Sequence, residues 1–211
     1  MKRIRCLLLV VVLIASMTVT AMAAEAQDFT DVSGHWAEGY ILQAVDMQLV
    51  EGYMGKYRPN DTMTRAEFVT ILWRASGKPE PAAKAGFTDL DPQQQWYHKA
   101  VAWAAENEIV GGVGNNRFQP NGAVTREQIA AILHRMAGKP TGMELLLTGV
   151  YDDIFEDSSK ISTWAKDAVY WSVYNVILSG VDAADVDTTL IPNQPATRAQ
   201  IAVMIVRYLQ Q

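Results

Sequence analysis

The chain has 211 residues, 49% of them hydrophobic, and a formal net charge of −5. This acidic balance argues against a nucleic-acid partner, because binding to phosphates relies on Lys and Arg. The single cysteine, Cys6, lies close to the N-terminus. We therefore expect no disulfide, thiol nucleophile or thiolate metal site in the rest of the chain. The length suits one compact domain or a tight assembly of small repeats.

Residues 1–23 have the pattern of a secretory signal peptide. A basic start is followed by an apolar run over 7–15 and by the small-residue site Ala21-Met22-Ala23. The apolar run is too short to span a bilayer. We expect cleavage before Ala24, which shifts the formal net charge from −5 to −8 by removing three basic residues. The prediction is an exported protein without membrane association after cleavage; a retained membrane anchor is the alternative.

The motif Pro-Asn-x-x-x-Thr-Arg occurs three times, beginning at Pro59, Pro120 and Pro192. Each copy belongs to a longer repeat, in which an aromatic residue, an Asp, a Trp and a Gly precede the motif in the same order, with the Gly sixteen residues after the Trp. These residues are Phe29, Asp31, Trp36 and Gly52; Phe87, Asp89, Trp96 and Gly112; Phe155, Asp157, Trp164 and Gly180. One such repeat is too small to fold stably alone, so the pattern predicts three repeats that share one hydrophobic core.

Each repeat has the pattern of helix, loop, helix. Between the Trp and the Gly, apolar residues such as Ile41 and Ala44 recur near a period of 3.6, and the Gly is expected to end this helix or begin a turn. The second helix is predicted to begin at the Thr-Arg step, where Thr and a Glu or Gln three residues later form a capping box. The sequence thus predicts a mainly all-α fold of three helix-loop-helix repeats around a shared helical core.

Other segments have local explanations. The Gly-Lys-Pro triplets at 77–79 and 138–140 are expected to end second helices. An Arg in the last turn of each second helix suits the helix dipole, and we assign Arg74, Arg135 and Arg207 that structural role. The apolar segment 144–150 is interpreted as a short strand. The acidic loop 182–187 is interpreted as solvated charge, with weak Ca²⁺ binding as the alternative.

The Arg that follows each Thr is the residue that helix stability does not explain. A cation is mildly unfavourable at a helix N-terminus, yet Arg65, Arg126 and Arg198 all occupy that position. A guanidinium beside free backbone N–H groups would form an anion site. The alternative is an ion pair with the Asp of the repeat. We favour anion binding because the unfavourable charge needs an explanation.

The Trp and Asp of each repeat are open to two interpretations. A Trp at a helix start is more often a core anchor than a platform for a sugar ring, and we favour the core for Trp36, Trp96 and Trp164. The Asp either caps the Trp-bearing helix, pairs with the Arg, or has a functional role.

The order Phe-x-Asp, Trp, Gly and Thr64-Arg65-Ala66-Glu67 resembles the S-layer homology module. The second and third copies have Gln128 and Gln200 in place of the Glu. The resemblance covers residues 28–211, with modules over 28–79, 86–140 and 150–211. It implies a pseudo-threefold assembly with a central helical bundle, an exported location at the cell wall or S-layer, and grooves between neighbouring modules.

According to this resemblance, the grooves bind a secondary cell-wall polysaccharide that commonly carries ketal-linked pyruvate. The pyruvate carboxylate would meet the helix-start Arg, and the Gly would allow close approach of the sugar. Asp and Trp would shape or support the groove. The implied ligand-binding residues are Arg65, Arg126, Arg198, Gly52, Gly112, Gly180, Asp31, Asp89, Asp157, Trp36, Trp96 and Trp164.

Non-covalent attachment to the cell wall is therefore the favoured function. The alternatives are a secreted carbohydrate-active enzyme and a structural or protein-binding array without glycan affinity. No pair of carboxylates stands out as a glycosidase would require, and His35, His98 and His134 are not at equivalent repeat positions. We assign no catalytic residue, metal or cofactor. No cargo domain is predicted after the third repeat, which suggests a freestanding wall protein or the product of a split gene, with self-association possible.

Overall fold

The computed structural model describes residues 29–140, 143–180 and 188–211. These residues form α1 (Glu38–Asp46), α2 (Arg65–Ala75), α3 (His98–Glu106), α4 (Arg126–Met136), α5 (Met143–Ile154), α6 (Lys166–Tyr174) and α7 (Arg198–Leu209). Short 3-10 helices span Gln95–Tyr97, Ser158–Lys160 and Thr163–Ala165. Within the described residues, β pairing is limited to isolated bridges. The mainly all-α prediction is confirmed, whereas the predicted signal peptide 1–23 and the acidic loop 182–187 lie outside the described residues.

The first helix of each repeat packs against the second helix of the repeat before it. In this way α3 packs on α2, α6 packs on α4, and α1 closes the ring by packing on α7. A single hydrophobic core runs through all three repeats and includes the fully buried Phe68, Ile129 and Ile201 at equivalent positions. Each such side chain contributes about 1.5–3 kcal/mol by burial. The shared core is therefore built between repeats.

The first helix of each repeat ends earlier than the sequence predicts. These helices stop at Asp46, Glu106 and Tyr174, and the chain then turns through the left-handed residues Gln48, Glu108 and Val176 at φ 57°, 56° and 57°. In the first repeat, the N–H of Leu49 closes the turn on the carbonyl of Ala44 at 3.0 Å. Of the two predictions for Gly52, Gly112 and Gly180, the helix end was wrong, because non-glycine residues turn the chain first. The alternative, the start of a turn, fits Gly52 and Gly112, which directly precede the turns that Tyr53 closes with Lys56 and Val113 closes with Arg117.

The second helices begin and end as predicted. Thr64, Thr125 and Thr197 each cap their helix, and both halves of the capping box are present in all three. Gly77 and Gly138 follow α2 and α4 at φ 81° and 83°, values that favour glycine.

The strand interpretation of 144–150 was wrong, because this segment lies within α5. α5 packs on α6, where the Tyr170 hydroxyl donates to Asp152 at 2.6 Å. In the part of the chain that the structure describes, every helix is too short or too polar to cross a membrane.

Candidate functional site

The N-terminal N–H groups of each second helix are capped by the loop of the neighbouring repeat. The N–H of Arg65 donates to the carbonyl of Gly122 at 2.9 Å, and the N–H of Ala66 donates to the carbonyl of Pro120 at 3.1 Å. The N–H of Glu67 donates to the Thr64 hydroxyl. The other two boundaries repeat this geometry: Arg126 to Gln194, Glu127 to Pro192, Arg198 to Asp61 and Ala199 to Pro59. The expectation of free backbone N–H groups for an anion was therefore wrong. Instead, the carbonyl of the Pro in the repeated motif accepts an N–H at the start of a helix in another repeat.

The helix-start Arg also crosses the repeat boundary. Arg65 is 6% exposed, and its Nε donates to the carbonyl of Phe118 at 2.9 Å. The two Nη atoms make longer contacts of 3.4 Å with Gly111 O and Gln128 Oε1. The guanidinium lies 4.8 Å from the centre of the Phe118 ring. Desolvation by burial lowers the pKa of Arg65, as does the nearby charge of Arg135.

The equivalent Arg residues make the same set of contacts. Arg126 donates from Nε to Leu190 O at 2.8 Å and from Nη2 to Ser179 O. Arg198 donates from Nε to Tyr57 O at 2.9 Å and from Nη2 to Glu51 O at 2.8 Å. Each Arg thus joins its own helix to two carbonyls of the next repeat around the ring.

The repeat Asp holds the same loop from the other side. Asp89 accepts the N–H groups of Phe118 and Gln119, both at 2.8 Å. Burial alone would raise the pKa of this carboxyl, but these two N–H donors outweigh it, and the pKa lies below its ordinary value. The other copies match: Asp31 binds the N–H groups of Tyr57 and Arg58, and Asp157 those of Leu190 and Ile191.

We call Tyr57, Phe118 and Leu190 the loop anchor residues, since the Asp of their own repeat binds the N–H and the Arg of the preceding repeat binds the C=O. The capping interpretation offered for the Asp was wrong, because its side chain caps neither flanking helix. The pairing interpretation was wrong for Asp31 and Asp89, since among the described ion pairs none joins them to a helix-start Arg.

The repeat Trp is exposed, so the favoured core interpretation was wrong. Trp36, Trp96 and Trp164 are 66%, 51% and 58% exposed. The buried position is the next residue: Ala37, Tyr97 and Ala165 are all fully buried. An exposed indole is free to offer its face to a ligand.

Groove A lies where three repeats meet. It has a volume of about 340 Å³ and is lined by Arg65 of the first repeat, by Gly111, Gly112, Gln128 and Arg135 of the second, and by Trp164 of the third, together with apolar residues. It brings together one predicted residue of each type except the Asp. Arg135 also lines it, although only a structural role was expected for an Arg in the last helical turn.

Groove B is the equivalent site one step around the ring. It has a volume of about 170 Å³ and is lined by Glu51, Glu67 and Arg74 of the first repeat, Trp96 of the second and Arg198 of the third. Arg74 forms an ion pair with Glu51 at 3.1 Å. The Arg in the last turn of the second helix, Arg135 or Arg74, therefore faces a groove in both sites. Its recurrence at one position in all three repeats was the signal that could have identified it.

Around the third boundary, the equivalent residues are Trp36, Gly180, Arg126 and Arg207. Here Arg207 donates to Val176 O at 3.3 Å and to the Ser179 hydroxyl at 3.4 Å. Its guanidinium lies over the ring of Tyr40. Residues 181–187, between Gly180 and Thr188, lie outside the described residues.

The repeat Gly packs against its own repeat. A Cβ on Gly52 would lie 2.0 Å from Phe29 Cε1 and 2.6 Å from the carbonyl of Lys56. On Gly112 it would lie 3.0 Å from the carbonyl of Arg117. Close packing of the repeat's Phe and loop therefore accounts for the absence of a side chain at these two positions.

A family model for the S-layer homology domain matches the chain at residues 28–69, 86–130 and 154–202. The Surface-layer 125 kDa protein of Lysinibacillus sphaericus is 34% identical over 94% of this chain and 16% of its own length. An endoglucanase from Bacillus sp. (strain KSM-635) is 32% identical over 94% of this chain and 21% of its own, and exoglucanase XynX from Acetivibrio thermocellus is 30% identical over 87% and 16%. The chain thus spans about a fifth or less of the length of these relatives.

These matches place the chain with modules that anchor S-layer proteins and surface enzymes to the cell wall. The predicted family and the location at the cell surface are confirmed. The S-layer homology domain is a binding module. The two glucanases match this chain over only 16% and 21% of their own length. The chain belongs to the S-layer homology domain family, with three tandem copies of the domain.

Proposed function

We propose that this chain attaches non-covalently to the bacterial cell wall by binding an anionic, pyruvylated secondary cell-wall polysaccharide in the grooves between its modules. The observation that supports this most is groove A, where two guanidinium groups and the exposed indole of Trp164 line one cleft and, among the described residues, no carboxylate lines it. Cations attract a carboxylate, and an indole face suits a sugar ring.

The roles within groove A follow from the geometry. The Nη atoms of Arg65 make only long contacts of 3.4 Å within the protein, so N–H donors remain for a ligand oxygen. Gly112 lines one wall, and Trp164 offers a stacking surface. Asp89 supports the groove by holding the loop that Arg65 contacts. We propose the same division of roles for Arg126, Arg198, Gly52, Gly180, Asp31, Asp157, Trp36 and Trp96 at the other boundaries.

The binding proposal extends to the whole chain. We propose modules over 28–79, 86–140 and 150–211, wider than the matched segments because α2, α4 and α7 continue beyond them. We propose that the chain binds the wall polymer as its partner and catalyses no reaction. Self-association on the wall is a further property that we propose.

Co-sedimentation with purified cell-wall sacculi tests the function. The wild-type chain is expected to sediment with native sacculi and to remain in solution after mild acid has removed the pyruvyl groups. Equal sedimentation with both preparations would overturn the anionic part of the proposal. Release of reducing sugar from the same sacculi would support the enzyme alternative.

Trp164→Ala provides the matched site variant. Because the indole is 58% exposed, its removal should reduce sedimentation severalfold with little change in the melting temperature. Tyr53→Ala serves as its control, since Tyr53 is 71% exposed and lines neither groove A nor groove B. Equal loss in both variants would argue against groove A.

A further inference from the structure

We propose that groove A binds the carboxylate of the wall glycan and that groove B does not, because groove B already contains the carboxylates of Glu51 and Glu67, of which Glu51 pairs with Arg74. This inference rests on the proposed function and adds which groove is competent and which residue decides it. The deciding position is occupied by Gly111 in groove A and by Glu51 in groove B, at the same place in the repeat, one residue before the repeat Gly.

The two grooves have equivalent Arg residues but differ in the carboxylates that line them. Groove A is lined by Arg65 and Arg135, and groove B by Arg198 and Arg74. The acidic residues Glu51 and Glu67 line groove B, and the neutral Gly111 and Gln128 replace them in groove A. The formal charge of the lining residues is therefore +2 in groove A and zero in groove B.

The carboxylate of Glu51, whose side chain is 71% exposed, pairs with the cation of groove B that a ligand would need. Glu51 Oε1 lies 3.1 Å from Arg74 Nη1. A glycan carboxylate entering groove B would have to displace Glu51 and would meet a like charge, which costs binding energy. Among the described residues, no carboxylate forms a hydrogen bond or an ion pair with the Arg135 side chain.

Arg135 is accordingly the contact that we assign to the ligand carboxylate. Arg65 is held by Phe118 O at 2.9 Å and is 6% exposed, whereas Arg135 is only partly buried and lies on the wall of groove A. Loss of a charge-assisted hydrogen bond weakens binding by about tenfold or more. Arg135→Gln should have that effect on binding in groove A. Arg58→Gln is its control, since Arg58 is exposed and lines neither groove.

The deciding position allows a direct exchange between the grooves. A Cβ on Gly111 would meet no atom within 4 Å, so the backbone there accepts a side chain without a clash at its first atom. Gly111→Glu should place a carboxylate near Arg135 as Glu51 lies near Arg74, and thereby close groove A to anions. Glu51→Gly should release Arg74 and open groove B. Gly86→Glu is the control for added charge, since it also meets no atom within 4 Å and lies outside both grooves.

The test follows the indole N–H signals of Trp164 and Trp96 in ¹⁵N-correlated NMR spectra of the whole chain. The probe is a methyl hexoside that carries a 4,6-O-pyruvyl ketal, and its neutral 4,6-O-ethylidene analogue is the reference. In the wild type, the ketal should shift the Trp164 signal and leave the Trp96 signal in place. Gly111→Glu should abolish the Trp164 shift, whereas Glu51→Gly should add a Trp96 shift and Gly86→Glu should change neither.

Three results would overturn the inference. The first is an equal shift of both Trp signals in the wild type, which leaves wall attachment intact while removing the distinction between grooves. The second is a Trp164 shift that survives Gly111→Glu, and the third concerns the neutral analogue. If the ketal and its neutral analogue shift Trp164 alike, the anionic site fails, and the sedimentation with depyruvylated sacculi decides separately whether the proposed function fails with it.

Discussion

The Nε of Arg65 donates to the carbonyl oxygen of Phe118 at 2.9 Å across the boundary between the first and second modules. The guanidinium also lies over the Phe118 ring at 4.8 Å. This contact makes the helix-start Arg a structural link as well as a candidate ligand contact. The unfavourable position of the cation at the helix N-terminus is offset by carbonyl oxygens from the neighbouring module.

Arg65→Ala is expected to destabilise the fold by about 2–3 kcal/mol, because it leaves the buried carbonyl of Phe118 without its charged donor. Arg65→Lys should recover only part of this loss, since an ammonium lacks the planar donor geometry. Denaturant unfolding at neutral pH measures the difference. Arg58→Ala, an exposed residue, is the control. A loss below about 0.5 kcal/mol for Arg65→Ala would contradict the linking role.

Acid should weaken the loops that the repeat Asp residues hold. The pKa of Asp31 and of Asp89 lies below its ordinary value because backbone N–H donors outweigh the effect of burial. A lowered folded-state pKa contributes stability above the unfolded pKa of about 4, and this contribution is lost as the pH falls through the folded pKa. The Asp89→Asn variant should therefore be less stable than the wild type at pH 7, and the gap should narrow below about pH 4.

Unfolding curves recorded from pH 7 to pH 2 measure that gap. Asp46→Asn is the control, since Asp46 is exposed and should show little difference at any pH. A gap between wild type and Asp89→Asn that stays constant over the whole range would contradict the assigned role of the carboxylate.

Substitution of the repeat Gly should cost stability in proportion to the space around it. Gly52→Ala should destabilise by about 1–3 kcal/mol, because the new Cβ would lie 2.0 Å from the Phe29 ring. Gly112→Ala should cost less, since its closest contact is at 3.0 Å, and Gly111→Ala should be neutral because nothing lies within 4 Å. Thermal melts of the three variants give the order. The same loss in all three would show that local packing does not set the requirement.

Ser172→Ala is expected to stabilise the fold by about 1 kcal/mol. The Ser172 Oγ is fully buried, and no residue of the described part bonds it. A buried hydroxyl without a partner carries an uncompensated desolvation cost. The other two repeats have Ala at this position, Ala44 and Ala104, and both are fully buried.

The melting temperature should rise by about 2–4 °C for Ser172→Ala in a chain of this size. The exposed Ser76→Ala is the control. A lower melting temperature for Ser172→Ala would show that the hydroxyl has a stabilising partner.

Prediction from sequence was most accurate where the cause is local. The capping boxes at Thr64, Thr125 and Thr197 need only residues within one turn, and all three are formed. The family and the mainly helical fold also followed from the repeat. The segment 144–150 was assigned wrongly because a short apolar run does not distinguish a strand from a helix.

Prediction of the site failed where partners come from another repeat. The position of the Trp at the helix start does not indicate whether its own side chain or that of the next residue is buried. Trp164 proved 58% exposed beside the fully buried Ala165. The Arg of the last helical turn, Arg135, was explained by the helix dipole, and only the assembled groove A placed it beside Arg65.

The number of repeats, the starts of the second helices and the positions of the repeated Arg could be derived from spacing and short-range hydrogen bonds alone. What those residues contact depends on how the repeats pack together. The first helix of each repeat packs on the preceding repeat, so every Arg faces carbonyls more than 45 positions away along the chain. The difference between Glu51 and Gly111 is visible in the sequence, but its consequence for charge depends on the second-helix Arg that the fold brings to each position.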